Sequence, residues 1–391
     1  MGVAPRIVLL LLGWLGGWWL LWRIPTIGRA SGRPTVSPVP RQGPALADCA
    51  IVVPARNEEL SLPNLLASIS EQTVRPAEVL VVDDQSTDAT RAIAEAHPGV
   101  TVVTGVAPPP GWTGKTWACE QGLDLTTSPH LLFVDADVTL APTAVESVLA
   151  VSRERGGLVS VQPYHRMVKA YEQFSALFNV IAFMGTGAAS PRRDGRSVGA
   201  FGPVLCCERS ELEAVGTFEA VRGEIVEDMA LARRFSDQGR PVHAFGGGEL
   251  ASFRMYPGGL GSLVEGWSKN FATGAATAAL GRVAVVFLWI TALLTSVQLL
   301  IEVAVGGSTV PVAVLAVVYA AFALQLRVML GQMGDFGSLT AALYPALAGI
   351  FLAVFARSVW LTAVRRKVRW RGRDIPLSKR ARWAATPARP E

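Results

Sequence analysis

Several carboxylates in this chain fall where apolar stretches end. In "LLFVDADV" (131–138) four apolar residues run straight into Asp135 and Asp137. "AEVLVVDD" (77–84) ends in Asp83 and Asp84, and "CAIVVPARNEE" (49–59) carries Pro54, Ala55, Arg56 and Glu58 at its end. A Gly-Lys loop, "GWTGKTWACEQG" (111–122), adds Lys115, and "EIVEDMALARRF" (224–235) adds the pair Glu227-Asp228. Ionised carboxylates gathered at one place repel and are costly to bury unless a positive charge joins them. A hard divalent cation with oxygen ligands is the natural partner, with Arg56 and Lys115 as the nearby fixed cations. One aspartate after a strand is ordinarily a turn residue. Three acidic strand ends, a lysine loop and a later acidic pair, in this order, point to a site.

The elements that must position these groups follow from apolar periodicity. Residues 49–53 read as a strand stopped by Pro54, and Leu62, Leu65, Leu66 and Ile69 have helical spacing. A second strand, a turn and a helix follow, with Ser86, Thr87 and Asp88 as capping types. "VTVVTG" is a third strand, the lysine loop opens a helix, and "HLLFVDADV" is a fourth strand. Alternating strands and helices predict an α/β domain with a mostly parallel sheet. Its strands are continuously apolar, as a sheet covered on both faces requires. Ligands of such sheets bind beyond the carboxyl ends of the strands, where the acidic residues collect.

Composition places this domain inside a larger plan. Of 391 residues, 50% are hydrophobic and 17% charged, too apolar for one ordinary soluble domain. The excess lies in residues 7–22 and in three blocks within 283–362, separated by "GGST" and "GQMGDFGS". We therefore expect an N-terminal membrane anchor (1–29), a Pro/Ser/Arg linker (30–46), a catalytic domain (47–280), transmembrane or re-entrant helices (281–364) and a basic cytosolic tail (365–391). Trp18, Trp19 and Trp22, with no small-residue cleavage site, favour a retained anchor over a signal peptide. Arg23, Arg29, Arg33 and Arg41 after the first block, and the arginines after the last, mark the cytoplasmic side. Three C-terminal spans would put tail and catalytic domain on opposite sides, so one block is expected to be re-entrant, the one with Pro345 and Gly349 being the candidate. The net charge of +5 is modest, and no basic, aromatic-laced face argues for nucleic acid. Four cysteines without a CxxC pair read as reduced thiols.

With these residues in view, the chain resembles family 2 glycosyltransferases of the GT-A fold. The resemblance rests on "VVPARNEE" (52–59), "VVDDQSTDAT" (81–90), "GKTWACEQG" (114–122), "FVDADV" (133–138) and "EIVEDMALARRF", and covers residues 50 to about 270. "SVQPYHRMVKAYEQFSALFN" (160–179), "AFGPV" (200–204), "FRMYPGGLGSLVEGWSKN" (253–270) and "VRWRGRDI" (368–375) are similar, more narrowly, to the membrane-bound enzymes that glycosylate the carotenoid acid 4,4'-diaponeurosporenoate. The resemblance implies a nucleotide-sugar-binding domain in which Pro54, Ala55 and Glu58 line the nucleotide pocket, Asp84 holds base or ribose, and Lys115 approaches the nucleotide or its phosphates. It implies a DxD site in which Asp137 binds Mg2+ or Mn2+ and Asp135 contacts the nucleotide or the metal shell. Asp228, beside Glu227, would be the general base of a single inverting displacement. The expected donor is UDP-glucose and the expected acceptor a lipid-like molecule, a carotenoid acid first, with a hopanoid, sphingoid or glycerolipid as alternatives. A small polysaccharide synthase and an inactive membrane scaffold are the remaining alternatives.

Departures qualify the resemblance. Many membrane relatives carry QxxRW after the acidic pair, a motif that goes with processive synthesis. Here "LVEGW" (263–267) keeps only Trp267, with Lys269 following, which implies transfer of a single sugar and leaves their acceptor or diphosphate contacts open. His165 is either an acceptor-site residue or a structural histidine. Glu227 and Asp228 could also be simple N-terminal charges on a helix. Tyr171, Phe174, Leu177, Phe178 and Ile181 form a helical stripe that is either core or a bilayer-contacting acceptor entrance. Nucleotide sugars are cytosolic, so the expected location is the plasma membrane, multi-pass, with the catalytic domain in the cytoplasm.

Overall fold

The structure, a computed structural model, describes residues 3–27, 45–191, 193–274, 280–307, 310–361, 367–370 and 373–376. The linker after residue 27, Arg29, Arg33, Arg41 and most of the basic tail lie outside the described residues.

After helix α1 (Val3–Leu20) the α/β domain starts with β1 (Ala45–Ala55), α2 (Leu62–Ser70), β2 (Val74–Asp83), α3 (Thr90–Glu95), β3 (Thr101–Thr104), α4 (Gly114–Asp124) and β4 (His130–Val134). It continues through β5 (Val138–Leu140), α5 (Ala144–Arg155), β6 (Leu158–Gln162), β7 (Tyr164–His165), α6 (Ala176–Thr186), β8 (Val204–Glu208), α7 (Arg209–Ala214), α8 (Glu227–Asp237), β9 (Val242–Gly246) and β10 (Ala251–Phe253). Seven strands make one sheet in the order β3-β2-β1-β4-β8-β6-β9, and β5-β10-β7 form a small second sheet. The pairs β3–β2, β2–β1, β1–β4 and β6–β9 are parallel; β8 runs antiparallel to both its neighbours. The mostly parallel sheet is therefore as expected, with one reversed strand, β8, between β4 and β6.

The continuous apolar runs are explained by burial on both faces. Along β1, Cys49, Ile51 and Val53 join the core under α2 and α5, while Ala50 and Val52 join the core under α4 and α8. Helix α4 lies so close that a Cβ on Gly122 would stand 2.3 Å from Val52 Cγ1. Two local expectations need correction. Pro54 does not end β1: the strand runs on to Ala55, and Pro54 pairs with Val82 on the β2 side, beyond Val52, the last β1 residue paired to β4. Ser86, Thr87 and Asp88 do not cap α3 as its N-cap residue; that position is Ala89, and Asp88 instead accepts from the Thr90 N–H at 3.0 Å.

The apolar excess builds a second body of structure. α9 (Leu260–Gly274), α10 (Leu280–Ala304), α11 (Val312–Gly331), α12 (Ser338–Ala342) and α13 (Tyr344–Trp360) follow the α/β domain. α10 and α11 are long and apolar enough to cross a membrane; α1 and α13 are apolar but shorter. α1 packs along α10 on a glycine face: a Cβ on Gly13 would lie 2.2 Å from Ala292 Cβ, and one on Gly17 2.5 Å from Trp289 Cδ1. Small residues of this kind let two helix backbones approach. α6 belongs to the same core. Leu177 and Phe178 are buried in it, and Tyr171, Phe174 and Ile181 pack against it. The stripe thus joins the α/β domain to the helices. In the tail, β11 (Lys367–Trp370) and β12 (Arg373–Pro376) form an antiparallel hairpin, with β11 beside α9.

Candidate active site

β1 and β2 end level, with Asp83 paired to Ala55, and β4 stops within two residues of them, since Phe133 pairs with Val52 and β4 ends at Val134. Their carboxyl ends open into one cavity of about 1710 Å³. Pro54, Ala55, Glu58, Asp84, Lys115, Asp135, Asp137, Glu227, Asp228 and Trp267 all line it. Lys269 is on α9, but its side chain is outside the described residues.

On the β1–β2 side, the chain turns sharply in two places. Asn57 and Gln85 both have left-handed φ (53° and 57°). Asn57 Oδ1 accepts from the Thr87 N–H at 2.9 Å, and the Glu58 N–H donates to Thr90 Oγ1 at 2.7 Å, which locks the two turns together. Arg56 Nη1 donates to the Asp84 carbonyl at 2.7 Å and lies 3.6 Å from its carboxylate, so buried Asp84 has a cation beside it.

The other side holds a cluster that answers the problem of gathered charge. Lys115 stands in the first turn of α4, whose N-cap is Thr113; the Thr113 side chain accepts from the Thr116 N–H. Its Nζ lies 2.7 Å from Asp135 Oδ1 and 3.0 Å from Glu227 Oε1. Where approach to the nucleotide was expected, Lys115 thus joins two carboxylates. Burial works against its charge, but Asp135 and Glu227 outweigh that and hold the ammonium well above the usual lysine range. Asp228 follows at the start of α8 and accepts from the Met229 N–H at 2.8 Å. Burial, and then Glu227, push its carboxyl up to about 7, against the pull of Lys115. A carboxylate poised there can take a proton near neutral pH. Glu227 and Asp228 do open a helix, yet they also face the cavity, so helix-end charge does not exhaust their role.

The reversed strand β8 completes this cluster. The Asp135 N–H donates to the Pro203 carbonyl at 2.9 Å, and this brings Gly202 over the cluster. A Cβ on Gly202 would stand 3.1 Å from Lys115 Nζ and 3.2 Å from Asp228 Oδ2. Gly202 lies in "AFGPV", which the resemblance had marked without giving a role.

Donor chemistry decides whether a divalent cation fits. Asp135 and Asp137 place hard oxygen donors at one rim of the cavity. Among the described residues no three His, Cys, Asp or Glu side chains gather into an all-protein cage. Mg2+ is commonly held by one or two carboxylates together with substrate phosphates and water. The residues fit a cation that arrives with a diphosphate.

The departures from QxxRW have a steric cause. Leu263 is fully buried in the helical core, and a Cβ on Gly266 would lie 2.3 Å from the Tyr256 ring. Tyr256 fills the space where a longer side chain would go. Its phenol is raised by burial and then by Asp137, which places that carboxylate near it. Trp267 stacks on Phe178 at 5.0 Å. His165 is not among the cavity residues: it is buried edge-on to Phe253 at 4.4 Å, and burial holds it neutral with a pKa of about 3. The four cysteines are free and buried.

The apolar part of the cavity was not legible in the sequence. It is walled by Val286, Phe287, Ile290 and Leu294 of α10 and by Phe351 and Phe355 of α13, and Arg282, at the head of α10, also lines the cavity. The available signal was one arginine at the head of a long apolar helix.

Residues 50–201 match the profile of glycosyl transferase family 2. The chain is 36% identical over 334 residues to a 4,4'-diaponeurosporenoate glycosyltransferase of Staphylococcus aureus (strain MRSA252), covering 84% of this chain and 88% of that protein. The protein of the same name from strain USA300 is 35% identical over the same shares. In fold the chain is similar to a mannosyltransferase from Pyrobaculum calidifontis in complex with GDP-Man and Mn2+, with a TM-score of 0.56 and 21% identity over 91% of this chain and 98% of that one.

Proposed function

Because the chain belongs to glycosyl transferase family 2, we propose that it moves one sugar from a nucleoside-diphosphate sugar, UDP-glucose as first choice, to a carotenoid acid. The names of its relatives support the acceptor. The observation that carries the proposal is that one continuous cavity is acidic at the ends of the strands and apolar between α10 and α13. A polar donor and a greasy acceptor can meet in it.

In this proposal Asp84, Pro54, Ala55 and Glu58 hold the nucleotide, and Asp137 with Asp135 holds Mg2+ or Mn2+. The bound cation would stabilise the negative charge of the leaving diphosphate. The acceptor oxygen forms a new bond to the anomeric carbon as the bond to the diphosphate breaks, inverting that centre. Lys115 fixes Asp135 and Glu227 so that neither swings toward the sugar. Asp228 takes the proton of a hydroxyl acceptor; an acid acceptor arrives ionised, and Asp228 then only orients it. Trp267 and Lys269 are the proposed contacts to the acceptor or the diphosphate. The catalytic domain is cytoplasmic, with α10 and α11 spanning the plasma membrane.

The test is a transfer assay in nanodiscs with several UDP- and GDP-sugars, Mg2+ or Mn2+, and lipid extract containing carotenoid acids, read by mass. One hexose added to a carotenoid acid, and lost in Asp137→Ala, is the expected result. A hexose on a hopanoid, sphingoid or glycerolipid would move the acceptor assignment. A ladder of sugars would favour a polysaccharide synthase, and no transfer under any condition an inactive scaffold.

A further inference from the structure

Among the described residues five cations line the cavity, and four of them face a carboxylate. Arg56 is beside Asp84, Lys115 beside Asp135 and Glu227, Arg166 beside Asp335, and Arg254 beside Glu172. Among the described residues, Arg282 is the cavity cation with no carboxylate partner. It is only 8% exposed, and its Nε and Nη1 are buried without a hydrogen bond. Arg193, also positive, lies near enough to repel it. The fold makes room for this charge deliberately: a Cβ on Gly187, at the left-handed end of α6, would stand 1.0 Å from Arg282 Nη1. A buried guanidinium without an anion is unfavourable, and an ionisable group at the head of an apolar helix calls for a partner.

The position of Arg282 says which anion. It occupies the first turn of α10, and Val286, Phe287, Ile290 and Leu294 continue from it along the cavity wall. At about 1.5 Å per residue, Arg282 to Leu294 is an apolar wall of ~18 Å with one positive head. That shape matches a long hydrocarbon ending in a carboxylate. A planar guanidinium takes a carboxylate by two parallel hydrogen bonds.

We propose that Arg282 is the acceptor-binding residue that recognises the carboxylate of an acidic lipid, with its hydrocarbon laid along α10 and a carboxylate oxygen turned to the anomeric carbon of the sugar. This rests on the proposed function above and adds the residue that selects an acid over an alcohol.

The test compares two acceptors in nanodiscs, a carotenoid acid and the same chain ending in a primary alcohol, with wild type, Arg282→Gln and Arg282→Lys. Arg282→Gln should raise KM for the acid by about 10- to 100-fold, as expected for one charge-assisted contact, while KM for the donor and kcat/KM for the alcohol stay within about threefold. Arg282→Lys keeps the charge and loses the fork, so its acid KM should fall between the two. Should Arg282→Gln not fold by gel filtration and melting, the selective rise in Arg282→Lys carries the test. Equal losses on acid and alcohol, an unchanged acid KM, or a rise in donor KM (an arginine serving the diphosphate) would each overturn the inference while leaving the proposed function standing. A wild type that glycosylates neither acceptor would overturn both.

Discussion

Replacing Lys115 by methionine removes the positive centre of the catalytic cluster and keeps its apolar stem. Lys115 stands 2.7 Å from Asp135 and 3.0 Å from Glu227. At an effective dielectric of about 20, each contact near 3 Å is worth roughly 5 kcal/mol of gross Coulomb energy. Side-chain exposures of 33% for Lys115 and 27% for Asp135 let water screen part of it. Loss of the cation from these partly buried carboxylates then leaves a net cost of about 1–3 kcal/mol. The pH dependence separates this from lost packing. The lysine pKa is raised in the folded protein, so its contribution is fully present below its unfolded pKa and is lost only as pH rises through the still higher folded value. It therefore stays charged at neutral pH, and the pH dependence of the deficit comes from the carboxylates. Asp228 is raised from 3.8 to about 7, so the folded state holds its proton more tightly and wild-type stability falls as pH rises between those values. Without Lys115, which pulls that pKa down, the value rises further and the charged form costs more. Chemical denaturation of both proteins at about pH 5.5 and about pH 8.5 should show a deficit that grows with pH by about 1.4 kcal/mol per unit of added shift. A deficit that is flat, or larger in acid, would refute the electrostatic account of the cluster.

Gly202→Ala should melt close to wild type yet lose about tenfold or more in kcat, because its Cβ pushes Lys115 and Asp228 by a few tenths of an ångström; unchanged kcat would show that the cluster yields freely. Asp228→Asn should slow transfer to a hydroxyl acceptor by about 100-fold or more and transfer to an acid far less; the hydroxyl reaction of wild type should rise with pH to a plateau above about 7, a limb that the variant lacks, and equal losses on both acceptors would contradict a proton-accepting role. Chelation of divalent cations should abolish transfer reversibly, and Asp137→Ala should abolish it irreversibly, both measured by product mass; full activity in chelator would remove the metal from the proposal.

The α/β domain was legible because its signals are local. Continuous apolar runs in β1, β2 and β4, each closed by a charged residue, specify strands and mark their carboxyl ends without knowledge of any partner. The acidic residues at those ends do converge, as a parallel sheet demands. What escaped is what depends on distant pairing. No periodicity says that β8 runs backwards, and so none says that Gly202 will stand over Lys115. The role of Lys115 as a joiner of carboxylates depends on Glu227, which arrives from more than a hundred positions away. The cavity wall on α10 and α13 was hidden in residues whose composition says only that they are apolar. Gly266 looked like a lost basic residue, whereas its reason is the ring of Tyr256 in contact with it.

The glycine face of α1 fits α10, and that pairing has a consequence in time. α1 ends at Leu20 and α10 begins at Leu280. A ribosome adding about 5–20 residues per second needs roughly 13–50 s to make the intervening chain. For that interval α1 exists without the helix it is shaped for, while the whole α/β domain is synthesised and free to fold. The two helices then pair after every strand of the large sheet has been made. The first helix of the chain thus completes its packing only after the α/β domain has been made, and it waits longer still for α11, to which Trp14 is hydrogen-bonded through Ala321 and Gln325.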